Sequence, residues 1–253
     1  MEVSHLTVEI DLVLPAAGLG SRFTQRGWHQ PKPLLSLAGK PFFWWAAESV
    51  CRVVTVRQMV FVVLESHVRE FQIDQRIQAC YPQATIVPIA GVTAGAAETA
   101  AIGVKALVGR RPLAINDCDH AFVCEGLPGM IDALHDQLAA ALMCFRSSSP
   151  SYSYARVDGQ GRVTGTAEKK VVSPHAIAGC YLFSGADRFL DLYDGYCESC
   201  GYDELFMSGL FNRAAQRELP IGLLEVDRHW SFGTPEELER VTPESLGPWL
   251  AWK

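Results

Sequence analysis

Residues Leu12 to Leu35 read LVLPAAGLGSRFTQRGWHQPKPLL, and the reading of this stretch decides the fold. Leu12, Val13 and Leu14 form an apolar run of the kind found in strands buried on both faces, and the run stops at Pro15. The Ala-Ala-Gly-Leu-Gly-Ser that follows carries almost no side chains. Gly18 and Gly20 can take positive φ and leave no Cβ in the way, so successive amides can converge on an anion as a nest. Further along, Pro31 and Pro33 restrict the backbone on both sides of Lys32 and limit where its ammonium can point. Arg22 adds a second cation to the same loop. A buried strand that delivers a phosphate-binding loop at its carboxyl end is the expectation.

Two familiar glycine motifs do not fit these residues. A dinucleotide fingerprint needs G-x-G-x-x-G, yet Phe23 stands where the third glycine belongs, and a polar loop containing proline is expected in place of an immediate helix. The G-x-x-x-x-G-K-[ST] string of a P-loop does not follow the strand either.

Outward from the loop, strand and helix alternate. A helix is expected from Pro41 through Phe42 to Val50, a strand over Gln58–Leu64, and a helix from an N-cap at Ser66 to about Ala79. A strand over Ala84–Ile89 and an alanine-rich helix from near Thr93 come next. This alternation predicts a parallel sheet with helices on its faces, in which ligands bind beyond the carboxyl ends of the strands. Gly95 and Ala96 would let a flat ligand approach the backbone at one such end. Leu113 to His120 (LAINDCDH) delivers Asp117 and Asp119 at another, and hard oxygen ligands in that place suit Mg²⁺ held with waters and phosphates. If residues 117 to 119 stay extended, the two carboxylates point the same way.

After residue 125 the segments become richer in strands. Leu138–Phe145, a hairpin of Tyr154–Val157 with Arg162–Thr166, and Ile177–Phe183 are expected strands. Helices over Gly185–Cys200 and Asp203–Arg217 precede a last strand at Ile221–Val226. Thr234, Pro235 and Glu237 then make a capping box with proline at N1.

The glycine loop G-x-G-S-R, the distant P-K-P-L and the D-x-D together resemble the sugar-phosphate nucleotidyltransferase family, from Val13 to about Leu238. The resemblance implies a three-layer α/β/α fold around a mostly parallel mixed sheet, Rossmann-like and similar to the GT-A fold. It implies one domain over residues 1–253, with a nucleotide-binding half (1–125) and an acceptor-binding half (126–253). The implied activity moves a nucleoside monophosphate from a triphosphate, with CTP, UTP or dTTP favoured, to a sugar phosphate or other small phosphate ester and releases pyrophosphate. By the same resemblance, Arg22 and Lys32 are the catalytic cations. Ala16, Ala17, Gly18, Leu19, Gly20, Ser21, Gly95, Ala96 and Asp117 hold the nucleotide; Glu168, Lys169 and Gly179 hold the acceptor; Asp119 and Asp227 bind Mg²⁺. The Pro15 form of the loop, Tyr152-Ser-Tyr154 and Glu168-Lys169 resemble nucleotidyltransferases of bacterial capsule and surface-polysaccharide synthesis, some of which activate compounds other than sugars. The attacking phosphate is already an anion, so charge neutralisation and positioning are the expected sources of catalysis. Two other classes stay open: a GT-A glycosyltransferase that uses a finished nucleotide sugar, and a catalytically silent nucleotide binder.

Composition bounds these readings. A net charge of -6 supplies no basic excess for a nucleic-acid backbone, so a small-molecule partner is expected. The N-terminus MEVSHLTVEI lacks a basic segment leading into an apolar one, and no apolar run reaches about eighteen residues, so a cytoplasmic protein without a membrane partner is expected. Eight scattered cysteines read as reduced core residues, and the lone C-x-x-C of Cys197 and Cys200 lacks the second ligand pair of a zinc site. The oligomeric state is open; a homodimer is compatible, with Trp249 and Trp252 as interface or core residues.

Overall fold

The computed structural model describes residues 8–252, so the reading of the first seven residues lies outside it. Elements follow in the order β1 (Glu9–Pro15), α1 (Ser21–Gln25), β2 (Ser36–Leu37), β3 (Lys40–Pro41), α2 (Phe42–Cys51), β4 (Thr55–Leu64), α3 (Glu65–Phe71), α4 (Ile73–Cys80), β5 (Thr85–Ile89) and α5 (Ala96–Val104). Then come β6 (Leu113–Asn116), β7 (His120–Val123), α6 (Leu127–Asp136), β8 (Ala140–Arg146), β9 (Tyr154–Val157), β10 (Val163–Ala167) and β11 (His175–Phe183). The chain closes with α7 (Ala186–Cys197), α8 (Met207–Gln216), β12 (Ile221–Glu225), β13 (Arg228–Ser231), α9 (Pro235–Leu238) and α10 (Gly247–Ala251).

Strands from both halves of the chain join one nine-stranded sheet in the order β10-β9-β11-β6-β1-β4-β5, with β8 beside β11 and β12 beside β8. The fold is the expected three-layer α/β/α arrangement. β6, β1, β4 and β5 run parallel, while β11 lies antiparallel to β6, β8 and β9. The core of β1 is fully buried from Ile10 to Leu14, as a strand covered on both faces requires. One face of the sheet packs Phe43, Phe61, Ile131 and Leu134 beneath α2 and α6. The other packs Val13, Phe183, Phe189 and Phe211 beneath α5, α7 and α8. A third cluster joins Phe23, Phe42, Trp45, Phe232 and Trp249, so the C-terminal segment locks onto α1 and α2. Trp249 is therefore core, with its ring 4.4 Å from that of Trp45.

Several local expectations change. Ser66 is not an N-cap: the helix starts at Glu65 and breaks at Gln72, whose φ of 54° separates α3 from α4. A strand beyond Ile221–Glu225, β13, was not expected; it pairs antiparallel with β7, away from the large sheet. The capping box at Thr234 is present, with the Glu237 amide donating to Thr234 Oγ1 (3.2 Å) and the Thr234 amide to Glu237 Oε2 (3.1 Å). Cys197 ends a helix and Cys200 lies beyond it, and all eight cysteines are free.

Candidate active site

β1, β5 and β6 all end on the same rim of the sheet, and three loops meet there. After β1, Gly20 adopts φ 62° and turns the chain directly into the five-residue α1, in place of the polar loop expected there. A Cβ at Gly20 would stand 3.0 Å from the Lys32 Cβ, so glycine lets the Lys32 segment close over the loop. The two prolines set a single 3₁₀ turn, Lys32–Leu34, which fixes the root of the Lys32 side chain. Its Nζ reaches across to donate to Asp119 Oδ2 at 2.7 Å. Asp119 lies in a turn after β6 rather than in extended chain, yet Asp117 and Asp119 both face the rim.

The rim carries two hollows. The first, of about 680 Å³, is walled by the Gly18–Ser21 loop, Lys32, Gly95, Ala96, Asp203 and Glu204. The second, of about 940 Å³, is walled by Arg22, Lys169, Gly179, His120, Tyr152, Ser231 and Glu237. Asp117 and Asp119 line both hollows and mark the seam between them.

Burial works against the charge of Lys32, but the carboxylates of Asp119 and Asp117 beside it outweigh burial and hold its pKa above the ordinary lysine value. Burial also works against ionised Asp119, and Lys32 more than compensates, holding that carboxyl below its ordinary value. Asp117 lacks that hydrogen bond: burial first, then the Asp119 charge, push it up to about 8 against the pull of Lys32. Cys118 between them is a neutral thiol, pushed up to about 12 by burial. His120 and His229, in the wall of the second hollow, are held neutral by burial, at about 4 and about 3.

Of the residues expected to hold a nucleotide, Ala17, Gly18, Leu19, Gly20, Ser21, Gly95, Ala96 and Asp117 line the first hollow. Ala16 does not: it is buried and its amide donates to the Val62 carbonyl at 2.8 Å, continuing the sheet. Arg22, expected at the triphosphate, stands on the second hollow instead. Lys169 and Gly179 line the second hollow, with Gly179 at φ 75° where any Cβ would meet His120 Nε2 at 2.7 Å. Glu168 does not line it; its Oε2 accepts from the hydroxyls of Ser153 and Ser208 (2.9 Å to the latter), which ties the loop to α8.

Asp227 requires a correction. It is exposed, its amide donates to the Val123 carbonyl (2.9 Å), and its Oδ2 accepts from the Glu125 amide (2.8 Å). The β13–β7 ribbon pairs Arg228 with Val123 and Ser231 with His120, so Asp227 and Asp119 flank opposite ends of it, roughly 15 Å apart. Asp227 lies at the far end of that ribbon, just before β13, and the strand runs from there toward the seam, ending at Ser231 beside His120. Among the described residues no cluster of three or more His, Cys, Asp or Glu side chains forms a ready metal cage. Two carboxyl groups at the seam, Asp119 beside Lys32 and Asp117 raised first by burial and then by Asp119, nevertheless fit a Mg²⁺ ion that takes its remaining ligands from water and phosphate.

Other lining residues were not expected to hold a substrate. Tyr152 donates to Glu237 Oε1 at 2.8 Å, joining the serine-rich loop to the α9 cap, and Glu237 had signalled only a capping box. Asp203 and Glu204 reach the first hollow from the loop before α8.

The sequence matches the MobA-like NTP transferase domain over residues 12–162, more than half of the chain. The chain belongs to that family and is a nucleotidyltransferase. No curated protein matches the sequence. The nucleoside-diphosphate-sugar pyrophosphorylase of Vibrio cholerae RC9 has a similar structure, with a TM-score of 0.77 and 23% identity over 90% of this chain and 98% of that one. The inositol-1-phosphate CTP transferase of T. maritima gives a TM-score of 0.75 and 13% identity over 94% of this chain and 93% of that one. No helix among the described residues is long and apolar enough to cross a membrane.

Proposed function

We propose that this nucleotidyltransferase joins a nucleoside monophosphate, from CTP, UTP or dTTP, to a sugar phosphate or another small phosphate ester. The single observation that carries this reading is the pair of hollows meeting at Asp117 and Asp119, with Lys32 on the seam. One substrate for each hollow puts the reacting phosphates side by side where a half-buried ammonium and two carboxyl groups meet.

Amides of Gly18, Leu19 and Gly20 cradle the triphosphate in the first hollow, and the backbone around Gly95 and Ala96 packs against the base. Lys32, released from Asp119 by an arriving phosphate, neutralises the α-phosphate as charge builds on it. Arg22 and Lys169 draw the acceptor phosphate into the second hollow, and Tyr152, Gly179 and Glu237 shape the space for the rest of that molecule. The acceptor oxygen is already anionic, so no general base is assigned. Asp119 and Asp117 would hold Mg²⁺, which when bound supplies positive charge to the triphosphate. The protein acts in the cytoplasm, in the supply of precursors for a cell-surface polysaccharide.

A panel of the four triphosphates against sugar phosphates and other small phosphate esters, read by pyrophosphate release, tests the reading. Release with one pair supports it. Release of a nucleoside diphosphate from a nucleotide sugar, with none of pyrophosphate, would replace it with glycosyl transfer.

A further inference from the structure

A third hollow, of about 620 Å³, lies on the face of the molecule where α7, α8 and the β9–β10 hairpin meet, and none of its walls belongs to the two hollows above. Arg156, Arg213, Asn212, Thr164, Ser199 and Tyr202 line it, and no carboxylate does. Neither arginine joins an ion pair among the described residues, although Arg162, Arg188 and Arg217 nearby all do. Arg213 Nε is buried with no hydrogen-bond partner. In a chain of net charge -6, two guanidinium groups without an acidic partner face one acid-free hollow, and burying part of the Arg213 group with no partner for its Nε costs stability unless something else offsets it.

The walls are also shaped to hold these side chains. A Cβ at Gly195 would stand 2.7 Å from Arg213 Nε, one at Gly165 2.6 Å from Asn212 Oδ1, and one at Gly209 2.2 Å from the Tyr196 ring. Three polar side chains of the hollow therefore each occupy a notch that only glycine leaves open. Their positions are tied down as well: Asn212 Oδ1 accepts from the Thr166 amide at 2.7 Å, and Arg156 Nε donates to the Thr166 carbonyl at 3.4 Å.

We infer that this hollow is a second anion site, which binds the phosphate of a small phosphorylated molecule between Arg156 and Arg213. Guanidinium groups match phosphate oxygens with paired donors, and Thr164, Ser199 and Asn212 supply further polar contacts. The bound anion would lie close to the nucleotide hollow, since the same loop gives Tyr202 to one and Asp203 and Glu204 to the other.

Calorimetric titration with inorganic pyrophosphate, without metal and without a second substrate, tests this independently of any turnover. Lys32→Ala with Lys169→Ala weakens the glycine-loop and acceptor sites, so that background should still bind one equivalent. Adding Arg156→Gln or Arg213→Gln to it should weaken the remaining binding on the order of tenfold or more. Unchanged binding in both of these triple variants, or none left in the Lys32→Ala/Lys169→Ala background alone, would overturn the assignment. Should Arg213→Gln lower the melting temperature, Arg156→Gln decides, because that side chain is exposed and its loss leaves the packing intact. Parallel titrations of the same background with inorganic phosphate and with CTP tell an orthophosphate-type ligand from a nucleotide, and binding of none of the three probes would also overturn it.

Discussion

Gly233→Ala isolates the position of Asp119 from its charge. Gly233 has no unusual φ, so alanine is allowed there by the backbone. Its Cβ, however, would stand 2.5 Å from Asp119 Oδ2 and 3.2 Å from Asp119 Cγ. Carbon and oxygen in contact sit about 3.3–3.6 Å apart, so the carboxylate must retreat by roughly 1 Å. Oδ2 is the atom that accepts from Lys32 at 2.7 Å, and a movement of that size breaks the contact or drags the ammonium with it. A misplacement of roughly 1 Å at a reacting centre costs on the order of a hundredfold in rate. The global fold should hardly respond, since glycine to alanine at a permitted φ tends to stabilise by about 0.4–1 kcal/mol, which offsets the local crowding. We therefore expect kcat/KM for pyrophosphate release to fall about a hundredfold with the melting temperature nearly unchanged. Activity within about threefold of wild type would refute the reasoning, because the Asp119 oxygen would then tolerate displacement without consequence.

Acid should destabilise the protein through His120. Burial lowers its pKa from 6.5 to about 4, so the unfolded chain takes the proton more readily, and stability present above about pH 6.5 is lost as pH falls toward 4. At about 1.4 kcal/mol per unit this amounts to about 3 kcal/mol, with His229 acting in the same direction; denaturant titrations from about pH 7 to 4 should show the decline, and His120→Gln should flatten it. Trp249→Ala should cost about 3–5 kcal/mol in the same assay, because the fully buried ring fills the space beside Trp45. Its loss also removes the face on which the Arg52 guanidinium rests, 3.6 Å from the ring centroid.

What the sequence made legible was local. Gly18, Gly20, Lys32 and Asp119 sit in short strings whose geometry is set by their immediate neighbours: a strand end, two prolines, a turn. The structure brings all four to one rim. Residues whose placement depends on distant chain were read less well. Asp227 lies in the bend between β12 and β13 rather than at the end of a strand, and the pairing of β13 with β7 sets it at the end of the ribbon far from Asp119. Glu168 has the right charge in the right loop, yet two serine hydroxyls from separate segments capture it. Tyr152 and Glu237 meet across the fold at a separation no periodicity could reveal. The α3–α4 break depends on one left-handed residue, Gln72, in a stretch whose apolar spacing reads as continuous helix.

The account rests on a triphosphate meeting Lys32 and the Asp119 carboxylate at the seam of two hollows. Mg²⁺-dependent pyrophosphate release from the best triphosphate and phosphate ester, compared across wild type, Lys32→Ala and Asp119→Asn, tests it most directly. The account predicts a loss on the order of a hundredfold or more in each variant, with both still folded. Undiminished release by either variant would contradict it.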